Sequence, residues 1–166
     1  MTLVFASRRL VRTFAALACL SFLCAPFAAA QSAAPTSGPG SAASIPQADL
    51  IQPEVLAHLL QSSDAHKPMI FQVGSHVLFD ESHIAGAVYA GPGAQSTGLQ
   101  TLQDKLAPLP RNQFIVLYCG CCPWSHCPNI APAFQQVRSM GFTHVKVLYL
   151  SNNFGTDWAN KGYPVD

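Results

Sequence analysis

Charge is scarce in this chain: nine Lys and Arg and eight Asp and Glu make up 10% of 166 residues. No basic stripe interleaved with aromatics occurs, so nucleic acid is not an expected partner. Cysteine is missing from residues 25–118, and a structural zinc site normally needs two separated ligand pairs. A P-loop, a dinucleotide-binding glycine pattern, a Ser-His-Asp order and internal repeats are also missing. Long apolar runs are few. The one at 13–27 is interrupted by Pro26 and is too short for a membrane span.

That run has another reading. Arg8, Arg9 and Arg12 precede it and Ala28-Ala29-Ala30 follow it, so residues 1–30 read as a secretory signal peptide. Ser7-Arg8-Arg9 followed by Leu10-Val11 weakly resembles a twin-arginine signal, which leaves the export route open. Cleavage after Ala30 removes Cys19 and Cys24, neither of which follows a persuasive lipobox. The mature chain keeps six basic and eight acidic residues, a net charge of −2. It is expected in the periplasm, with the membrane reached only through the export signal. Residues 31–48, rich in Ser, Ala, Pro and Gly, read as a flexible linker. The folded domain is expected over 49–166.

Within it, apolar and β-branched runs predict strands over 69–73, 87–90, 114–118 and 145–150. Helices are expected from Asp49 or Gln52, over about 99–109, over 130–140 and near the C-terminus. Residues 76–84 read as an irregular connection. Strands alternating with helices predict an α/β, doubly wound domain with a parallel sheet flanked by helices. Ligands in such sheets sit beyond the carboxyl ends of the strands, where Cys119 falls.

What the chain does have is sulfur, concentrated. Cys119, Cys121, Cys122 and Cys127 lie within nine residues, just after the apolar run 115–118. Asn129 is placed to cap the following helix, and Gly141 to end it. Free N–H groups at that helix start are expected to lower the pKa of Cys119 and favour its nucleophilic thiolate.

Several segments carry a resemblance. His83-Ile84-Ala85-Gly86-Ala87 is similar to a G-H-I-x-G-A segment, with Ser82 in place of the first Gly. The strand ending at Cys119 is similar to one that delivers a catalytic cysteine. Gly141-Phe142 followed by Val145 and Val147 resembles a helix-to-strand step, and the stretch from Trp158 to Val165 resembles W-x-x-x-G-x-P-V. In this shared order, across about 50–166, the chain resembles a rhodanese homology domain. The resemblance implies sulfane-sulfur transfer, with Cys119 as the nucleophile that becomes a persulfide. Gly120, Cys121, Cys122, Trp124, Ser125, His126 and Cys127 form the loop cradle or supply a resolving thiol. Trp124 stands where such loops often carry arginine, the loop is longer than usual, and Gln72-Val73-Gly74 replaces D-V-R. Holding a dianion such as thiosulfate then rests on backbone dipoles and His126. The Cys-Gly-Cys-Cys-Pro-x-x-x-Cys-Pro loop marks an atypical branch.

Three chemistries stay open for the loop. The first is persulfide or thiol exchange at Cys119, which needs no cofactor and takes a sulfur donor or thiol acceptor, either a small molecule or an envelope protein. The second is a Cu(I)- or Zn-binding module built from some of Cys119, Cys121, Cys122, His126 and Cys127, with Cys121, Cys122, His126 and Cys127 as the set if Cys119 is catalytic. The third is a non-catalytic interaction domain with a structural disulfide such as Cys122 with Cys127. His83 is expected to order its loop, Trp158 to lie in the core, and Asp80 and Glu81 to be solvated. Asn153 and Thr156 are expected near the site.

Overall fold

The computed structural model describes residues 42–63 and 66–166. The signal peptide expected over 1–30 and most of the linker expected over 31–48 lie outside the described residues. No helix among the described residues is long and apolar enough to cross a membrane.

Ten elements alternate along the domain: β1 (Leu50–Ile51), α1 (Pro53–Gln61), β2 (Met69–Gln72), α2 (His76–Glu81), β3 (Val88–Tyr89), α3 (Ser96–Leu106), β4 (Ile115–Tyr118), α4 (Ile130–Ser139), β5 (Val145–Leu148) and α5 (Phe154–Asp157). The five strands form one sheet in the order β1-β5-β4-β2-β3, and every pairing is parallel. β4 is central and all four of its residues are buried, as a continuous apolar run in a sheet covered on both faces should be.

Side chains alternate across the pleat, and this decides where the first thiol goes. Ile115, Leu117 and Cys119 share a core with Leu102 and Leu106 of α3 and Ile130, Ala133, Phe134 and Val137 of α4. Val116 and Tyr118 face the opposite core, with Leu56 and Ala57 of α1, Ile84 and Trp158. Trp158 is fully buried, so truncating it to alanine would cost about 3–5 kcal/mol. Its indole N–H also donates to Pro164 O at 2.9 Å.

The two terminal motifs are bonded to each other. Ile84 bridges Val165 antiparallel, His83 N donates to Asp166 O at 3.1 Å, and Ala85 N donates to Pro164 O at 3.2 Å. His83 does order this segment: its Nδ1 lies 2.8 Å from Phe79 O and its ring stacks on Phe79.

Three local differences from expectation stand out. The connection after β2 contains the helix α2, whose Val77 and Leu78 are exposed and give no amphipathic signal. β1 is only two residues long, too short to carry a periodic pattern, and exists because β5 offers it a parallel edge. Packing also starts before Asp49: Ala42 and Ile45 are buried against the α4 side of the core, inside the stretch read as linker.

Candidate active site

β4 ends at Tyr118, and the chain turns at once through Gly120, whose φ of +76° favours glycine. A Cβ there would also lie 2.8 Å from the Cβ of Phe154, whose N–H donates to Gly120 O at 3.0 Å. The turn brings Cys121 back beside Cys119, and their sulfurs are 3.1 Å apart. Cys121 Sγ is in turn 3.3 Å from Cys122 Sγ. Cys119 and Cys127 are 6% and 5% exposed, so only one edge of the cluster meets solvent.

The loop is pinned by polar side chains on neighbouring strands and helices. Gln72, buried at the end of β2, donates from Nε2 to Cys119 O at 3.2 Å and accepts from Gly74 N at 3.1 Å. Asn129 is buried and makes no cap hydrogen bond to α4. Instead its Nδ2 donates to Cys119 Sγ at 3.3 Å and Cys121 Sγ at 3.8 Å. Its Oδ1 accepts from Ala94 N at 3.0 Å. The backbone N–H groups of Asn129 and Ile130, at the start of α4, favour the anionic form of Cys127 rather than of Cys119.

The electrostatics follow from this arrangement and correct the expectation for Cys119. Cys119 is held protonated, first by its hydrogen bond to Cys121, then by the bond to Cys127 and by burial. Cys121 is lowered, first by its contact with Cys119 and then by Cys127, so the anionic form of the cluster is favoured on this side of the loop. Burial, followed by the Cys121 contact, pushes Cys122 up to about 12. Cys127 receives a lowering bond from Cys119, but Cys121 and burial raise it overall. Four thiols this close titrate as a unit, and the first proton leaves far more easily than from a free cysteine. The amides at the helix start serve Cys127; thiol-to-thiol bonds, not the helix, stabilise the anion.

Cys119, Gly120 and Cys121 open onto a cavity of about 310 Å³. Gln72, Leu78, Glu81, Ser82, Tyr118, Asn153, Phe154 and Gly155 complete its walls. The Tyr118 hydroxyl accepts from Ile84 N at 3.2 Å, and burial raises its pKa. Asn153 is at the site as expected, capping α5 by accepting Thr156 N at 2.8 Å. Glu81 is exposed, as expected of a solvated charge, but it ends α2 rather than lying in a loop, and it lines the cavity.

The other loop residues are placed elsewhere. Trp124, Ser125 and His126 form a short 3-10 turn. Trp124 packs on Tyr149 with ring centroids 5.1 Å apart, and its N–H donates to Ser151 O at 3.2 Å. Ser125 Oγ pairs with His126 Nδ1 at 2.8 Å on the exposed side. Among the described residues, the potential metal-holding group is Cys119, Cys121 and Cys122, with sulfurs within 4.8 Å of one another. These three are among the five expected candidates, and the group leaves out His126 and Cys127. Their omission is geometric: His126 turns outward with Ser125, and Cys127 is committed to the start of α4. Gln72 and the sulfur-binding role of Asn129 were not expected at all. A polar residue at the inner end of an otherwise apolar strand was the available signal for Gln72.

The model of the rhodanese-like domain matches residues 52–153. Among solved structures, the chain is similar to the rhodanese-like domain of the Alr3790 protein from Anabaena sp., at 22% identity and a TM-score of 0.53, covering 71% of this chain and 78% of that one. A full-length protein from Lactobacillus plantarum matches at 16% identity and a TM-score of 0.53, over 72% of this chain and 88% of its own. A variant of EanB in complex with hercynine matches at 26% identity and a TM-score of 0.50, over 70% of this chain and 27% of its own. No curated protein sequence matches. With the matched family model running from just after β1 to just before α5, and a parallel sheet delivering Cys119 to its cavity, the chain belongs to the rhodanese-like domain family.

Proposed function

We propose that this protein is exported to the periplasm and transfers sulfane sulfur through Cys119, with Cys121 as its proton acceptor and resolving thiol. Family membership supports sulfur-transfer or thiol chemistry in general. The observation that carries the finer reading is the 3.1 Å separation of the Cys119 and Cys121 sulfurs at the carboxyl end of β4.

In this mechanism Cys119 and Cys121 share one proton across their 3.1 Å contact, and that proton passes to Cys121 as Cys119 attacks a sulfane sulfur. The donor's S–S bond breaks, its leaving group departs with the electron pair, and Cys119 holds the persulfide. An external thiol that attacks the outer sulfur carries it away and restores Cys119. Without that acceptor, Cys121 attacks Cys119 Sγ, releases hydrosulfide and leaves a Cys119–Cys121 disulfide, which two external thiols reduce. Mass spectrometry after incubation with a sulfane donor tests the reading. One added sulfur is expected on the peptide containing Cys119, and its equal appearance in Cys119→Ser would sink the assignment. Export is tested by N-terminal sequencing of the periplasmic protein, which should begin at Gln31.

A second reading, metal binding, is favoured by the three-thiol group of Cys119, Cys121 and Cys122. Three soft thiolates with no fourth ligand suit Cu(I) better than tetrahedral zinc. Metal analysis of protein purified without chelators decides it: one Cu(I) per chain, lost in the Cys121→Ser/Cys122→Ser double variant, would support the metal reading.

A further inference from the structure

We infer that the cavity in front of Cys119 selects organic persulfides whose substituent is neutral or positively charged, and disfavours dianions such as thiosulfate. This rests on the sulfur-transfer reading and specifies its substrate class.

The walls of the cavity contain no lysine, arginine or histidine. Glu81, at the end of α2, is the one charged side chain among them apart from the cysteines. An anion entering the cavity therefore approaches a carboxylate with no cationic side chain among the walls to offset it. Neutral donors of hydrogen bonds offer little relief. The Gln72 amide is occupied, with Nε2 on Cys119 O and Ser75 O. The Phe154 N–H is spent on Gly120 O. The remaining walls combine carbon from Leu78, Tyr118 and Phe154 with the uncharged polar side chains of Ser82 and Asn153. A volume of about 310 Å³ admits a small organic molecule. A short carbon chain would lie on Leu78 and Phe154, and a terminal ammonium would sit by Glu81.

The step is sulfur transfer without net oxidation. Cys119 Sγ attacks the outer sulfur of R–S–SH, the bond between the two donor sulfurs breaks, and the electron pair goes to R–S⁻. The Cys119 proton, passed by way of Cys121, leaves on R–SH. Cys119–S–SH remains, and no external oxidant is needed.

The experiment compares three probes on the full mature chain by single-turnover mass spectrometry: 2-aminoethyl persulfide, 2-carboxyethyl persulfide and thiosulfate. Loading by the ammonium probe should exceed that by the carboxylate probe and by thiosulfate at least about tenfold at low salt, and the gap should narrow at high salt. Glu81→Gln should shrink the ratio of the two persulfide rates, and Glu81→Lys should invert it. Equal loading by thiosulfate and the ammonium probe, or a ratio unmoved by Glu81→Lys, overturns the inference and leaves sulfur transfer standing. If none of the three probes loads the wild-type chain, the sulfur-transfer reading falls and takes this inference with it.

Discussion

Asn129 holds two distant parts of the site together: its Nδ2 lies 3.3 Å from Cys119 Sγ while its Oδ1 lies 3.0 Å from Ala94 N. One buried amide thus ties the end of β4 to the segment before α3. A carboxamide suits the place because it donates to sulfur and accepts from backbone at once.

Replacing that amide by a carboxylate should raise the energy of the neighbouring thiolate. In Asn129→Asp the pH at which the cluster is alkylated should move upward, and sulfur loading should fall by about tenfold or more. Asn129→Ala should leave Ala94 N without its acceptor and lower stability by about 1–3 kcal/mol. An alkylation profile in Asn129→Asp that overlays wild type would remove Asn129 from the electrostatics of the site.

The thiol cluster also predicts how stability depends on pH. Cys121 is depressed in the folded state against an ordinary value of 9.0, so its contribution is full above pH 9 and is lost progressively as pH falls below it. Cys122 is raised, to about 12 against the same ordinary value, so its contribution is full below pH 9 and is lost as pH rises towards 12. Cys119, also raised, acts in the same alkaline direction. Thermal melts should show a stability rise up to about pH 9 and a decline above it, and Cys121→Ser should flatten the acid limb. An acid limb unchanged in Cys121→Ser would place the anion on another sulfur.

Gly93 is required by a close approach. A Cβ added there would stand 2.2 Å from Asn129 O and 3.1 Å from the Cβ of Ala133. Gly93→Ala should push α4 and Asn129 away from the cysteines, costing about 1–3 kcal/mol and slowing sulfur loading in parallel. If the melting temperature falls while the loading rate holds, the position of Asn129 does not govern the chemistry.

Ile45 tests whether the segment before β1 belongs to the fold. It is 7% exposed and lies in the same core cluster as Cys127 and Ile130. Ile45→Ala should cost about 2 kcal/mol or more and speed alkylation of Cys127. A melting temperature within error of wild type would show that the domain needs nothing before Leu50.

Much of the architecture was legible along the chain because its physical causes are local. Ile115–Tyr118 is an unbroken apolar run, and only a strand buried on both faces accommodates it in a sheet of this kind. Ile130–Ser139 is stopped at Gly141 and buries Ile130, Ala133, Phe134 and Val137 at helical spacing. The clustering of four cysteines after a strand end was likewise plain. By contrast, α2 and β1 carry no periodicity of their own; one presents exposed apolar residues and the other is two residues held by β5.

Sequence alone determined the parallel α/β order of the domain, the carboxyl-end position of Cys119 and the density of sulfur around it, because patterning and spacing are properties of neighbouring residues. Tertiary structure decided how the sulfurs share the charge. Asn129 could cap a helix or bond a thiol, and the approach of Ala94 turned it to the thiol. The amides at the start of α4 could serve any nearby anion, and loop geometry gave them to Cys127. The proton is then shared between Cys119 and Cys121, whose 3.1 Å contact is held by the Asn129 amide and its long-range bond to Ala94 N.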